Sequence, residues 1–184
     1  MIFLLACVNP KNTGYDSGLS SSSCSSIDLS SDASFDSSCQ EFDGVAVPGS
    51  TSYFLGDLCL SGTSVGSQVT GSETWLLIAN DAWIASGQDT CTVVWNSIGV
   101  VTEPSGCPTC TIGLEITASV DRERSDCPVN LYSDDETLQE QYDVFIKEDG
   151  SLDWFFSGSG NRFASGVKEG GSISYISDST CKWF

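Results

Sequence analysis

The stretch from Cys107 to Val120 constrains the fold of this chain more than any other. Apolar residues alternate with polar or small ones from Cys110 onward, and the apolar set is Cys110, Ile112, Leu114, Ile116, Ala118 and Val120. A period of two is typical of a strand with one buried face. Upstream, Cys91, Val93 and Trp95 repeat the same spacing. Two strands therefore each bring cysteine to a shared core, which predicts a β-domain crosslinked by disulfides.

Further strand patterns follow one another at short intervals, separated by turn residues. We expect strands within 45–60, with breaks at Pro48-Gly49 and Gly56-Asp57, and within 74–84, with a turn at Asn80-Asp81. A further strand is expected within 90–96, continued by 98–102 past a kink at Gly99. The last two strands are expected within 162–167 and 172–176. After Asp134-Asp135-Glu136, Leu138 and Tyr142 favour a single helical turn. The pattern predicts an all-β fold, either an antiparallel β-sandwich or an up-and-down β-barrel.

One hairpin has a register that the sequence predicts. Tyr142, Val144 and Ile146 share one face of a strand, and Leu152, Trp154 and Phe156 share one face of the next. A three-residue loop, Glu148-Asp149-Gly150, pairs Ile146 with Leu152 and Val144 with Trp154 and so keeps the apolar faces together. Gly150 is then expected in the left-handed conformation of a bulge.

The cysteines are nine in number, at positions 7, 24, 39, 59, 91, 107, 110, 127 and 181. If Cys7 is set aside, eight remain for disulfides: Cys24, Cys39, Cys59, Cys91, Cys107, Cys110, Cys127 and Cys181. Cys107-Pro108-Thr109-Cys110 has zinc-knuckle spacing, but neither a second such motif nor a histidine completes four ligands. A redox motif would normally open a helix, whereas this one leads into a strand. Structural disulfides are therefore expected, with their pairing left open.

The N-terminus carries a short apolar motif. Leu4-Leu5-Ala6-Cys7 resembles the lipobox that ends a bacterial lipoprotein signal peptide, and the resemblance implies that Cys7 is the lipid-modified first residue of the mature chain. Only six residues precede Cys7, so they would be the end of a longer or trimmed signal peptide. Val8, in place of Asp, resembles lipoproteins sorted to an outer membrane. The alternative is that 1–8 form a buried strand in which Cys7 pairs with another cysteine.

The composition divides the chain into three parts. Residues 1–7 form the truncated signal segment, 8–43 a Ser/Asp-rich tether, and 44–184 the disulfide-linked β-domain. Twelve of the twenty-two residues from Ser17 to Ser38 are serine, a composition too polar to bury itself. Cys24 and Cys39 are expected to close a short loop or to tie this segment to the domain. Its aspartates lack the glycine and terminal glutamate of a calcium loop.

The charge of the chain excludes several classes of function. Asp and Glu number 25 against 7 Lys and Arg, for a net charge of −18, and there is no histidine. Such a surface repels phosphate backbones, so we expect no nucleic-acid partner. Cations, cationic partners and neutral ligands are compatible with it. The absence of histidine removes the commonest general base, and we expect no cofactor or metal.

The region from Cys91 to Cys127 resembles the cysteine-rich β-domains of bacterial lipoproteins. This resemblance implies an extracytoplasmic location, on the outer membrane or cell surface or secreted, and implies no activity. We therefore expect a non-enzymatic domain, anchored in the membrane through lipid on Cys7, with a binding or structural role. Trp75, Trp83, Trp154 and Phe155 are candidates for a stacking platform that binds an extracellular glycan or protein. The alternative is that these four residues belong to the core.

Two other functions are compatible with the sequence. The chain would be a self-assembling subunit if its N-terminal segment completed the sheet of a neighbour. It would be a glycan hydrolase if two carboxylates stood at a suitable separation, since that chemistry needs no histidine. The carboxylates considered for this role are Asp81, Glu115, Asp134, Asp135 and Glu136.

Overall fold

The structure is a computed structural model that describes residues 24, 33, 41–42, 45–46, 50–128, 137–177 and 180–182. Of residues 41–42, 45–46 and 180–182 the structure describes the backbone only. Of the tether, 8–43, it describes residues 24, 33 and 41–42. The predictions for Cys7, Cys39 and Asp134 to Glu136 lie outside the described residues, as does the predicted disulfide of Cys181.

The described chain is almost entirely β-structure. Its strands are β1 (Glu41–Phe42), β2 (Val45–Ala46), β3 (Ser50–Leu60), β4 (Gln68–Ala79), β5 (Cys91–Thr102), β6 (Ile112–Asp121), β7 (Thr137–Ile146), β8 (Ser151–Phe156), β9 (Arg162–Glu169), β10 (Ser172–Ser177) and β11 (Thr180–Lys182). A single short helix, α1 (Asp81–Ala85), lies among these residues. None of the described helical segments has the length and apolar character needed to cross a lipid bilayer.

Strands β3 to β10 form a closed up-and-down barrel. Each strand pairs antiparallel with the next along the chain, and β10 pairs back onto β3, for example Ile173 with Leu58 and Tyr175 with Gly56. β11 pairs with the remaining part of the same β3 edge, from Ser50 to Ser52. The all-β prediction is confirmed, and of its two architectures the barrel is the one observed. Closure removes the open sheet edges that otherwise invite aggregation.

The barrel interior holds two apolar clusters. The larger one fills the closed part and consists of Leu58, Leu60, Val69, Val101, Ile112, Leu114, Ile116, Tyr142, Val144, Leu152, Trp154, Ala164, Ile173 and Tyr175. The smaller one lies where β4 to β6 run on toward α1 and consists of Leu77, Ala79, Trp83, Cys91, Val93, Trp95, Ala118 and Cys127. The members on each strand follow the period of two, so this alternation correctly indicated the buried face.

Helix α1 replaces the predicted turn at Asn80-Asp81. The side chain of Asn80 accepts a hydrogen bond from the backbone N–H of Trp83 at 2.8 Å, which caps the helix. Trp83 is buried in the smaller apolar cluster and holds the helix against the barrel. β4 therefore ends at Ala79 and starts at Gln68, so the strand predicted within 74–84 is displaced toward the N-terminus.

The hairpin of β7 and β8 has the predicted register. Ile146 pairs with Leu152 and Val144 pairs with Trp154. Gly150 has φ 85°, the left-handed conformation that favours glycine. The apolar faces of the two strands were therefore sufficient to predict the loop length.

Some other local predictions were wrong. β3 runs through Gly56-Asp57 without a break. β5 runs through Gly99 as one strand, so the predicted continuation of 90–96 into 98–102 is confirmed. Each glycine lies where a neighbouring group leaves no room for a side chain. A Cβ on Gly56 would lie 2.0 Å from the Tyr175 ring, and a Cβ on Gly99 would lie 2.2 Å from a carbonyl oxygen of β6. Leu138 and Tyr142 lie on β7 and not in a helical turn. β6 begins at Ile112, so Cys110 precedes the strand.

Three disulfides lie among the described residues. Cys91 pairs with Cys127, and both are buried in the smaller cluster. Cys107 pairs with Cys110 in the half-buried loop between β5 and β6, outside the shared core expected for it. Cys24 pairs with Cys59 and so ties the segment before the barrel to β3. These bonds are consistent with an extracytoplasmic location.

The disulfides should differ in their contribution to stability. Replacing Cys91 and Cys127 together with alanine should lower the free energy of unfolding by about 4 kcal/mol, because the bond closes a long loop of the unfolded chain. Replacing Cys107 and Cys110 together should lower it by only about 2 kcal/mol, because the bond spans three positions. Urea unfolding of both variants measures the difference. Equal losses would contradict this order.

Candidate functional site

A polar group of side chains lies inside the barrel, between the two apolar clusters. Its centre is Glu73 on β4, which is 3% exposed. One carboxyl oxygen of Glu73 accepts a hydrogen bond from the Tyr175 hydroxyl, and the other accepts one from Ser97 Oγ at 3.1 Å. Gly56 on β3 pairs with Glu73 on one side and with Tyr175 on the other. The missing side chain of Gly56 thus lets the Tyr175 ring pass over β3 to reach Glu73.

A second carboxylate, Glu140 on β7, faces the same interior. One of its carboxyl oxygens accepts a hydrogen bond from the hydroxyl of Tyr142, and its side chain is half-buried. Glu140 lies near enough to Glu73 for their like charges to interact unfavourably. The interior therefore contains two carboxyl groups, each hydrogen-bonded to a buried tyrosine.

The surroundings favour the uncharged form of Glu73 and of the two tyrosines. Burial raises the pKa of the Glu73 carboxyl above its ordinary value of 4.5, and the charge of Glu140 adds to this effect, while the hydrogen bonds from Tyr175 and Ser97 oppose it. Burial also raises the pKa of the Tyr142 and Tyr175 hydroxyls well above the usual range. Both tyrosines therefore act as hydrogen-bond donors.

Aromatic rings surround the two carboxyl groups on the side of β8 to β10. Trp154 stacks on Tyr175 with ring centroids 4.3 Å apart, and Tyr142 stacks on Phe163 at 5.6 Å. Phe156 packs on Phe163 at 4.5 Å but is 40% exposed. These contacts hold the rings in place, and Phe156 remains partly accessible from outside.

An opening in the barrel wall leads toward Glu140. β7 pairs with β6 from Thr137 onward, but its pairing with β8 covers only Tyr142 to Ile146. A cavity of about 640 Å³ occupies the resulting gap. Its lining includes Glu115, Ile116, Gln139, Glu140, Gln141 and Phe156. Its size is that of a pocket for a small molecule.

A buried aspartate fixes the rim of this cavity. Asp143 lies on the outer face of β7, is 1% exposed, and accepts hydrogen bonds from the backbone N–H of Ser105 at 3.1 Å and of Gly106 at 2.6 Å. It also accepts one from Ser157 Oγ at 2.9 Å. Ser157 immediately precedes Gly158 and Ser159, which line the cavity. The Asp143 carboxylate therefore holds two loops beside the opening, and we consider it a positioning residue.

The four aromatic residues proposed for a stacking platform do not lie together. Trp154 is fully buried in the larger cluster, and Phe155 is half-buried on the opposite face of the same strand. Trp83 is buried in the smaller cluster, and Trp75 is half-buried beside that cluster and stacks on Phe54. The ring that does line the cavity is Phe156, which the sequence analysis did not select.

The carboxylates considered for glycan hydrolysis are also dispersed. Asp81 is exposed at the start of α1, and Glu115 is exposed on the outer face of β6 at the cavity rim. Glu73 and Glu140 were missed. The sequence contained a signal for Glu73, because its position in the alternation places it on the same face of β4 as the buried residues Val69 and Leu77. A carboxylate on an apolar face indicates a buried polar group.

No group of three or more potential metal ligands of the histidine, cysteine, aspartate or glutamate type occurs in the described part of the chain. The indole N–H groups of Trp95 and Trp154 are buried without an acceptor among the described residues. Trp95 pairs across the strands with Glu73. No family model, curated protein or solved structure matches this chain.

The raised pKa of Glu73 should make stability depend on pH. The folded state holds the Glu73 proton more tightly than the unfolded state, so this group stabilises the fold most at low pH. That contribution is lost as pH rises from 4.5 through the raised pKa. Glu73→Gln removes this dependence. The free energy of unfolding of the variant, relative to that of the unmodified protein, should therefore increase with pH over that range. Urea unfolding between about pH 4 and pH 8 measures the difference. A difference that is constant or falls with pH would contradict the account.

Proposed function

We propose that this chain is an extracytoplasmic, non-enzymatic binding domain that takes a small polar ligand without negative charge in the cavity beside β7. The observation that carries the proposal is the composition of the cavity. Its lining combines carboxylates with the carboxamides of Gln139 and Gln141 and with the exposed part of Phe156, and no lysine or arginine is among the described residues that line it. Carboxylate, amide and aromatic groups suit a hydroxylated or cationic molecule, such as a unit of an extracellular glycan.

The arrangement of the carboxyl groups favours binding over hydrolysis. Glu73 is buried, is bonded to Ser97 and Tyr175, and is not part of the cavity lining. Glu115 reaches the cavity from the outer face of the barrel, where it is exposed. A glycan hydrolase places two carboxyl groups on either side of the bond that it cleaves. Among the described residues, the cavity is lined by the half-buried Glu140 and by Glu115 at its exposed rim.

A cavity-filling variant tests the proposed binding site. Nothing lies within 4 Å of a Cβ on Gly158, which lines the cavity, so Gly158→Trp should fill it without a clash at the backbone. Neutral oligosaccharides and small cations should raise the melting temperature of the unmodified protein, and carboxylate or phosphate compounds should not. The variant should lose this stabilisation. Val65→Trp is the matched control, because Val65 is 59% exposed in the turn between β3 and β4. If no neutral or cationic compound stabilises the protein, the proposed function is wrong.

The proposal also includes a lipid anchor on Cys7, which would keep the barrel at the cell envelope. Mass spectrometry of the mature protein from its native envelope should find Cys7 at the N-terminus carrying two or three acyl chains. An intact Met1 would instead favour the alternative function, in which the N-terminal segment completes the sheet of a neighbouring subunit. The described barrel offers one place for such a strand, the side of β7 from Thr137 to Glu140 that no described strand covers.

A further inference from the structure

The carboxylates at the cavity have no cation beside them in its described lining. Glu140 is half-buried and Glu115 is exposed at the rim. Neither takes part in the ion pairs of Arg124, Lys147 or Arg162. A charge that is partly removed from water interacts more strongly with an opposite charge, because less water screens it. A positive charge placed beside Glu140 would therefore be attracted to it.

Three cations of the described chain form ion pairs away from the cavity. Arg124 pairs with Asp121 at 2.8 Å, and Lys147 and Arg162 both pair with Asp153 on the outer surface of β8. With a net charge of −18, the whole molecule attracts cations toward its surface. A cationic ligand would therefore be attracted to the cavity without competition from Arg124, Lys147 or Arg162.

The cavity suits an organic cation better than a metal ion. Calcium requires about six to eight oxygen ligands held close together, whereas the cavity measures about 640 Å³. Part of its wall is apolar, formed by Ile116 and Phe156. Phe156 is 40% exposed, and its ring is held from behind by Phe163 and by Tyr142, whose ring centroid lies 5.7 Å away. A carboxylate beside a fixed aromatic ring is the arrangement that binds ammonium groups.

We propose that the cavity binds a small organic ammonium ion, with the Glu140 carboxylate as its counter-ion and the Phe156 ring as its cation–π contact. This inference rests on the proposed binding function and specifies its ligand class. Glu115, at the exposed rim, would contribute mainly to the attraction of the cation, because exposed charges interact weakly through water. The bound ammonium group would lie at the opening between β7 and the end of β8, and its other substituents would lie toward the carboxamides of Gln139 and Gln141.

Isothermal titration calorimetry with choline and with ethanolamine tests this proposal on the full-length oxidised protein. Each ammonium compound is compared with the neutral alcohol in which carbon replaces its nitrogen. At least one ammonium compound should bind about tenfold or more tightly than its neutral counterpart. Glu140→Gln should remove most of that preference, because it keeps the shape of the side chain and its acceptor for Tyr142 but loses the charge. Phe156→Leu should weaken ammonium binding several-fold and leave the neutral alcohol nearly unchanged.

Glu123→Gln is the matched control, because it changes the net charge equally at an exposed position in the loop after β6. It should leave the ammonium preference intact. Equal binding of the ammonium compounds and their neutral counterparts would overturn this inference, and so would failure of both ammonium compounds to bind. In either case, binding of a neutral oligosaccharide that Gly158→Trp abolishes would leave the proposed function standing. Absence of all binding would overturn both proposals.

Discussion

Closure of the barrel by β3 and β10 is the constraint on which the rest of the structure depends. Ser172 to Ile176 pair with Leu55 to Cys59, so the last barrel strand satisfies the edge that the first would otherwise expose. The seam closes tightly because Gly56 has no side chain where the Tyr175 ring crosses it. Any larger residue at this position would displace that ring. The closed seam thus brings Tyr175 to Glu73, two strands away, and fixes the interior polar group.

This polar group gives the interior its layered character. The larger apolar cluster fills the closed barrel, and the smaller cluster lies toward α1. Glu73 and Ser97 lie between them, and Tyr175 of the larger cluster donates a hydrogen bond to Glu73. Burial of a carboxyl group costs free energy unless hydrogen bonds compensate it. Here both oxygens of Glu73 have donors, and a higher pKa reduces the remaining cost. The proposed ligand site lies at Glu140, where the polar interior of the barrel meets the opening beside β7.

Residue alternation predicted much of the fold. The alternation in β6, the shared faces of β7 and β8, and the left-handed Gly150 were all evident in the sequence, because each depends on neighbours along the chain or across one hairpin. The sequence did not distinguish a barrel from a sandwich, because closure depends on the pairing of β3 with β10 across more than a hundred residues. The uninterrupted β3 was missed for the same reason, since the ring that explains Gly56 comes from β10.

The candidate site was harder to predict than the fold. Glu73 and Glu140 lie on separate strands, and only the closed barrel brings them near each other. Aromatic residues were proposed as a ligand platform because their faces bury area with little loss of entropy, but the same property favours burial in the core, and Trp154 and Trp83 are core residues. Phe156 lines the cavity because β8 ends there while β7 continues. Strand ends of this kind are determined by packing between distant segments, which local patterns do not contain.

Amide hydrogen exchange of the oxidised protein, measured residue by residue by NMR, tests the closed barrel most directly. The amides of β3 from Leu55 to Cys59 and of β10 from Ser172 to Ile176 should be protected as strongly as those shared by β5 and β6, since both sets lie in paired strands. Rapid exchange along β3 and β10, with protection retained in β5 and β6, would show an open sheet and contradict the account.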